Sequence, residues 1–360
     1  MMMPKKRGSS TSNLKNNTKK IEKRKSKTKA VALLSGGLDS NLAVRMIKEQ
    51  GIEVEAVAVK TPFCDFDCGK GCGHRVKEVA SELGIKLKTV YFGQEYLEMI
   101  ADPKYGYGSG MNPCIDCRSM MYNAAKDHMK KIDADFIITG EVLGQRPMSQ
   151  NGNALSIIEK ETKMKGKIIR PLSYKHLPIS DAEKNGLIDR NSLGDIKGRS
   201  RKKQLELAKK YDVIDPPNSA GGCLLTDPGF AKRIIDLYDN NNEIPNINDV
   251  ELLKIGRHFR ISSNTKLIVG RDKEENEIIK SLSTDSDIMI EAKDYVGPTC
   301  ILRTTNYDEK EIEFASKIVA RYSDSPSDKM CKINTSYKNV QKEIKIMPAV
   351  EDEIKSFRIQ

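Results

Sequence analysis

Residues 31–40, VALLSGGLDS, run from an apolar, β-branched segment through Ser35-Gly36-Gly37-Leu38-Asp39-Ser40 into the helix-like NLAVRMIKEQ. A strand feeding a glycine turn that opens a helix presents free backbone N–H groups to an anion. Two glycines let the backbone approach a phosphate closely, and Ser35 and Ser40 add hydroxyl donors. No GKS or GKT follows, so this is not the P-loop pattern of kinases. Such a loop needs a parallel sheet behind it, and the next hundred residues supply the pattern for one.

Short apolar runs at 31–34, 54–59, 87–92 and 136–139 have strand length, and helix-like stretches separate them. Val76, Val79, Ala80 and Leu83 recur at helical spacing, so this segment is expected to pack one face on the sheet, with Gly84 ending it. Alternating strands and helices predict an α/β fold with a doubly wound parallel sheet, whose ligands bind beyond the carboxyl ends of the strands. SGGLDS and Thr139-Gly140-Glu141 both fall at such ends. Residues 104–113, KYGYGSGMNP, read as a glycine-rich mobile loop. A helical section is expected at about 176–248, and from about 250 runs such as TKLIVG and SDIMIEAKD predict a separate α+β domain ending near 350, with 351–360 as a tail.

Charge is concentrated at one end. Residues 1–29 hold 11 Lys or Arg and one Glu, so they carry nearly all of the chain's net +11. This segment has no aromatic residue and is expected to be a disordered basic tail, either solvated or an RNA-binding arm. It lacks the apolar core of a signal peptide, and no run approaches 18 apolar residues, so a cytoplasmic location without membrane contact is expected. Residues 160–175 and 199–210 each carry a local +5, which suits a polyanionic substrate or a solvated face.

The eight cysteines cluster, which in a cytosolic chain reads as metal or redox chemistry rather than disulfides. Asn112-Pro113-Cys114-Ile115-Asp116-Cys117-Arg118 has the C-x2-C spacing that sets two thiolates on one metal or cluster. Cys223 sits in Ala220-Gly221-Gly222-Cys223, where the glycines suit a tight turn. Cys64, Cys68 and Cys72 have the looser C-x3-C-x3-C spacing, which leaves a zinc site, a second iron–sulfur site with His74, and ordinary loop thiols all open. His128 and His176 read as packing or surface residues, and Cys300 and Cys331 as isolated thiols.

SGGLDS resembles the PP-loop of ATP pyrophosphatases, which split ATP between its α- and β-phosphates. SGGLDS, NPCIDCR, TGEVLGQRPMSQ, IIRPLS, GRSRKKQ and AGGCLLTDPGF occur in the order of the PP-loop tRNA thiouridine synthetases. GEVLGQRPMSQ with RPLS is similar to the 4-thiouridine synthetases, and the two cysteine segments resemble those of the 2-thiouridylases, with a cysteine where many of those carry Asp. No segment resembles the THUMP region, so RNA capture must be done otherwise. The resemblance implies a PP-loop (adenine nucleotide alpha hydrolase-like) domain at 30–175 that binds ATP through Ser35, Gly36, Gly37, Ser40, Gly140, Gln145 and Ser149. Asp39, acceptor-only, is expected to hold Mg²⁺ or organise the loop. Gly140 is expected to let nucleotide lie against the strand end, and Arg146 departs from the family spelling. The thiolation extension at 176–248 carries Cys223. Catalytic roles are implied for Asp39, Cys114, Cys117 and Cys223, the three thiols binding a [4Fe–4S] cluster or relaying a persulfide.

Residues 251–350 resemble the RNA-binding domain of NFACT proteins through GRHFRISSNTKLIVGRDKEEN, DIMIEAKDYVGP and ASKIVARYS. The matching positions imply RNA contacts from Arg257, Arg260, Arg271 and Lys293, and Arg199, Arg201 and Lys202 are the basic candidates upstream, with Ser200 as the cap of the helix that follows. The combined reading is an ATP-dependent tRNA sulfurtransferase that adenylates a uridine carbonyl oxygen and replaces it with sulfur from sulfide or a persulfide-carrying protein. A PP-loop synthetase acting on a small molecule and a non-catalytic RNA-binding adaptor are the alternatives. The sequence leaves the oligomeric state open.

Overall fold

A computed structural model describes residues 27–64, 72–213, 223–241, 243–338 and 340–359, with backbone alone for 72–74. The basic segment through residue 26, Cys68, the side chains of Cys72 and His74, and the turn at 214–222 lie outside the described residues.

The first half is a five-stranded sheet of β1 (Lys29–Leu33), β2 (Glu53–Lys60), β3 (Leu87–Tyr91), β4 (Phe136–Thr139) and β5 (Ile168–Ile169) in the order β3-β2-β1-β4-β5, every pair parallel. Strands covered on both faces need apolar side chains at every position. Along β1 and β4, Ala30, Ala32, Phe136 and Ile138 join one buried cluster while Val31 and Ile137 join another. The first cluster is completed by helices α1 (Leu38–Glu49) and α2 (Cys72–Glu82), with Val76, Val79, Ala80 and Leu83 packing inward as their spacing predicts. Gly84, at φ +59°, ends that helix. Between β3 and β4 lie α3 (Gln94–Ala101) and α4 (Cys114–Lys131), and α5 (Gly152–Glu161) precedes β5. Tyr122, Ala125 and Met129 of α4 and Ile158 of α5 fill the second cluster. Each fully buried aliphatic side chain contributes about 1.5–3 kcal/mol, so these faces fix the sheet's order.

The helical section is α6 (Asp181–Lys184), α7 (Lys202–Lys210), α8 (Pro228–Asp239) and α9 (Ile247–Leu253), with short 3₁₀ turns between. Helix α7 starts at Arg201, not Ser200; the Ser200 hydroxyl instead accepts from Lys202 N at 3.4 Å. Asp227 caps α8 by accepting from Phe230 N at 2.7 Å.

The last domain is a seven-stranded antiparallel sheet in the order β11-β10-β8-β9-β7-β6-β12: β6 (Arg257–Ser262), β7 (Thr265–Val269), β8 (Ile288–Ala292), β9 (Cys300–Thr304), β10 (Cys331–Tyr337), β11 (Val340–Ile346) and β12 (Arg358–Ile359). Helix α10 (Lys273–Leu282) covers one face and α11 (Glu309–Arg321) the other. Residues 351–360, expected as a tail, instead form α12 (Glu351–Ile354) and β12, which pairs with β6 and closes that edge of the sheet. Cys300 and Cys331 are buried in this core. No helix among the described residues is long and apolar enough to cross a membrane.

Candidate active site

Strand order reverses at β1, so the loops after β1 and β4 meet at the switch point where doubly wound sheets bind ligands. The loop after β1 is closed by its own serines. Ser40 Oγ accepts from Ser35 N at 3.3 Å, lies 3.2 Å from Ser35 Oγ, and donates to Gly37 O at 2.9 Å. Gly37 is the N-cap of α1 and supplies no side-chain cap, so the turn that opens the helix has donors to offer an anion.

Gly140 serves this loop in a different way from the one expected. A Cβ at that position would stand 2.4 Å from Ser40 N and 2.5 Å from the Asp39 carbonyl carbon. The end of β4 therefore lies against the phosphate loop's own backbone rather than offering an open shelf.

Asp39 is mostly buried, and burial pushes its carboxyl above the usual range. Gln145 Nε2 donates to Asp39 Oδ2 at 2.9 Å, while Asp39 Oδ1 is buried without a partner. Arg201 and Arg146 favour the anion from further away, and the buried Gln204 amide of α7 faces the same carboxylate. An orphaned carboxylate oxygen beside a phosphate loop has the donor chemistry of a Mg²⁺ ligand, so the residues fit that ion. Ser149 and Gln150 are buried. A separate crevice of about 300 Å³, lined by Asp135, Phe136, Lys167 and Asp181 among others, opens at the amino ends of β4 and β5 and touches none of the motif residues.

The distant thiols converge. Cys114 and Cys117 form the first turn of α4, and the chain just before them docks on the Cys223 segment. Met111 N donates to Leu225 O at 3.2 Å, and a Cβ on Gly110 would meet that same oxygen at 2.4 Å, so only glycine allows the two segments to close. Cys117 and Cys223 pack on one apolar cluster made by Phe63, Tyr96, Met111, Leu225 and Phe230. Burial raises the pKa of all three thiols, that of Cys223 to about 12, and neighbouring thiols add to the effect on Cys117 and Cys223. Cys64 belongs to this group: it acts on both Cys117 and Cys223. Sequence spacing grouped Cys64 with Cys68 and Cys72, and only the packing of neighbouring Phe63 against Tyr96 and Phe230 brings it here.

Arg118 and Arg146 oppose the rise at Cys114. Arg146 is exposed and acts on both Asp39 and Cys114, so one cation stands between phosphate loop and thiols. Arg118 Nη1 lies 3.6 Å from Glu141, the acidic residue after Gly140. Glu141 also accepts from Arg170 Nε at 2.9 Å and from Tyr122 OH at 2.6 Å. Burial opposes its charge, yet Arg170 and Arg118 hold the Glu141 carboxyl below its ordinary value. This buried network, unread in the sequence, ties the end of β4 to the helix that carries the cysteine pair.

Cys117 feels Cys64 and Cys114, and Cys223 feels all three, so these thiols, kept protonated chiefly by burial where a shift is resolved, are a donor set whose charge a metal centre would neutralise. Among the described residues no three His, Cys, Asp or Glu side chains form a group drawn to metal-ligating positions. The donor chemistry fits; ligating geometry is not formed. His128 is a packing residue, buried with Nε2 3.1 Å from Glu55, and His176 Nε2 lies 2.7 Å from Asp195 O.

The expected RNA contacts are differently placed. Arg260 forms a two-point pair with Asp236 of α8, at 2.9 and 2.7 Å, and buried Lys266 joins it at 2.9 Å, so Arg260 helps lock the last domain to the helical section. Arg271 pairs with Glu275 and Lys293 with Glu343 at 2.5 Å. Arg257 stacks on Tyr322, its guanidinium 4.8 Å from the ring centre. Lys202 is exposed at the start of α7, and Arg201 faces the phosphate loop.

Comparison with known proteins places this architecture. Residues 25–179 match the family model described as Thiamine biosynthesis protein (ThiI), and residues 256–358 that of the NFACT protein RNA binding domain. The tRNA-specific 2-thiouridylase MnmA of Marinobacter nauticus is 29% identical over 141 residues, which cover 37% of this chain and 36% of that protein. MnmA of Limosilactobacillus fermentum is 22% identical over 315 residues, covering 82% of this chain and 79% of that one. The chain thus spans about a third of the first relative and about four fifths of the second. A solved 4-thiouridine synthetase–RNA complex with bound ATP aligns with 62% of this chain and 52% of that chain, at 21% identity and a TM-score of 0.37.

The sheet, its switch-point loop and the family match give residues 25–179 a PP-loop ATPase-like architecture. More particularly, the chain joins a segment similar to the ThiI model to one similar to the NFACT RNA binding domain, and its sequence is similar to those of tRNA-specific 2-thiouridylases.

Proposed function

We propose that this protein is an ATP-dependent tRNA sulfurtransferase that exchanges a pyrimidine carbonyl oxygen for sulfur. The observation that carries the reading is the docking of the Cys223 segment on the loop before Cys114, which gathers thiols within reach of Arg146, a cation that also acts on Asp39 of the ATP-type loop. A carbonyl oxygen leaves poorly, so it first attacks the α-phosphorus of ATP and releases pyrophosphate. The uncapped start of α1, with Ser35 and Ser40, would hold the departing pyrophosphate, and exposed Arg146 would face charge developing between loop and thiols. Mg²⁺ held by Asp39 would neutralise phosphate charge. Hydrosulfide then bonds to the activated carbon; the C–O bond breaks, AMP leaves with the electron pair, and the S–H proton passes to solvent.

Cys114, Cys117 and Cys223 are the residues that would hold a [4Fe–4S] cluster, which when bound supplies an iron with an open position for hydrosulfide. Half-buried, with pKa values raised by desolvation, the same thiols are poor nucleophiles at neutral pH without a metal or a base to deprotonate them. Arg118, anchored on Glu141, would orient the turn that carries Cys117. The last domain and the basic segment at 1–29 are read as the parts that capture tRNA.

The test incubates the full chain anaerobically with ATP, sulfide and tRNA, and follows AMP and thionucleosides by mass spectrometry. AMP formation that requires tRNA, with one new thionucleoside lost in Cys223→Ser, is the expected result. AMP released without tRNA, or full thiolation by Cys223→Ser, would overturn the reading.

A further inference from the structure

Of the cations matched to RNA contacts, Arg260 is held by Asp236 and Arg257 stacks on Tyr322, while Arg271 and Lys293 sit in exposed pairs, and the last domain offers a further surface. At the other end of β10 from Lys293 the sheet opens into an apolar cleft of about 350 Å³. Its floor is Ile288, Ile312 and Val340, and its wall is Tyr307 and Tyr337, with ring centres 5.6 Å apart and planes tilted by 34°. Tyr307 is 47% exposed and Val340 60% exposed, although both are apolar enough to be buried elsewhere in the domain. Lys338 and Lys342 stand at the rim, their ammonium groups 5.0 Å from the Tyr337 ring centre and 5.8 Å from that of Tyr307.

We propose that this cleft is a stacking site for one unpaired nucleotide of single-stranded RNA. Exposed Tyr307 beside half-buried Tyr337, with an aliphatic lining, offers a ring face that any base can cover, the arrangement by which proteins hold single strands without reading sequence. The two lysines supply positive charge for the flanking phosphates. Lys342 is shared with Glu309 at 3.2 Å, an exposed pair that a phosphate can displace at little cost. The nearby start of α11 is already capped by Asp308 and carries Glu309 and Glu311, so the phosphate path runs on the lysine side. A cleft near 300–400 Å³ is at the small end for ligand sites, which suits a single base rather than a helix groove. A duplex, whose bases are stacked within, cannot enter.

The inference rests on the RNA-binding reading, and the test separates the two. Fluorescence anisotropy would compare the full chain's affinity for a labelled ten-residue oligouridylate and for a duplex of equal length at fixed salt. Tyr307→Ala and Tyr337→Ala should each weaken single-strand binding by about 5- to 100-fold and leave duplex binding unchanged. Tyr307→Phe and Tyr337→Phe should retain it, and Lys338→Gln should flatten the salt dependence by about 0.7 in log–log slope. Because the chain has no tryptophan, Tyr307→Trp places a single indole in the cleft, whose emission should quench as the oligonucleotide binds. Alanine variants that melt normally and bind the single strand as wild type does would overturn the cleft. Wild-type protein that binds no RNA would overturn both readings. Unchanged RNA affinity with a shift in oligomeric state by light scattering would make the cleft a protein contact and also overturn the proposal.

Discussion

Replacing Gly140 by alanine tests how closely the sheet supports the phosphate loop. The added methyl would sit 2.4 Å from Ser40 N, 2.5 Å from the Asp39 carbonyl carbon and 2.7 Å from its oxygen, whereas ordinary contact begins at 3.4 Å. All three neighbours are backbone, so no side chain can swing away, and the loop must retreat by about 1 Å. Overpacking of this kind costs about 1–3 kcal/mol. For a unit of this size that lowers Tm by roughly 2–12 °C. Function should suffer more, because a displacement of about 1 Å in a positioning element can cost roughly 100-fold. Calorimetric titration of ATP with Mg²⁺, beside a thermal melt, would read both. Gly152→Ala is the control: it also adds a methyl near a helix start, but nothing lies within 4 Å. The expected outcome is loss of ATP affinity by at least tenfold in Gly140→Ala alone. A Gly140→Ala protein that binds ATP like wild type and melts within a degree of it would falsify the close-support argument.

Gln145→Leu removes the donor to Asp39 Oδ2, so the carboxyl, already raised by burial, should titrate higher still. ATP–Mg²⁺ affinity needs the anion and falls as pH drops through that pKa; titrations at several pH values should show the fall starting at higher pH in the variant. Arg170→Met strips a buried guanidinium from Glu141 and Glu159 and should cost about 3–5 kcal/mol by denaturant unfolding; a loss below 1 kcal/mol would contradict the network's role. Asp236→Asn leaves Lys266 buried with less charge to face, and limited proteolysis should then cut between the helical section and the last domain. Burial opposes the Asp236 charge, but Arg260 and Lys266 hold its carboxyl below the ordinary value. Its contribution is therefore complete above the ordinary carboxylate range and is lost as pH falls through the lowered one. The wild type's stability advantage over Asp236→Asn should shrink in acid, and an advantage that is flat from pH 6 to pH 3 would refute the pairing.

The strands and the loop were legible because their signals are local. Apolar runs of strand length, helical spacing of apolar residues, glycines at a turn, and a helix stop at Gly84 are each written within about ten residues, and β4 coincides with its apolar run. The same holds for the C-x2-C pair, since two cysteines one turn apart must share a helix face. What lay beyond the sequence was every contact made across the chain. Charged residues show their sign but not their partner, so Arg260 read as an RNA contact until Asp236, 24 positions upstream, proved to hold it. Gly140 advertised room without saying whose, and the phosphate loop's backbone filled it. Cys64 looked tied to Cys68 and Cys72 by spacing, while the packing of Phe63 carried it to Cys117 and Cys223. Sequence by itself determined the elements and the chemistry each could carry. Only the tertiary structure decided which groups share a dielectric, because burial and pairing depend on what lies opposite in space, and that is set by packing of the whole core.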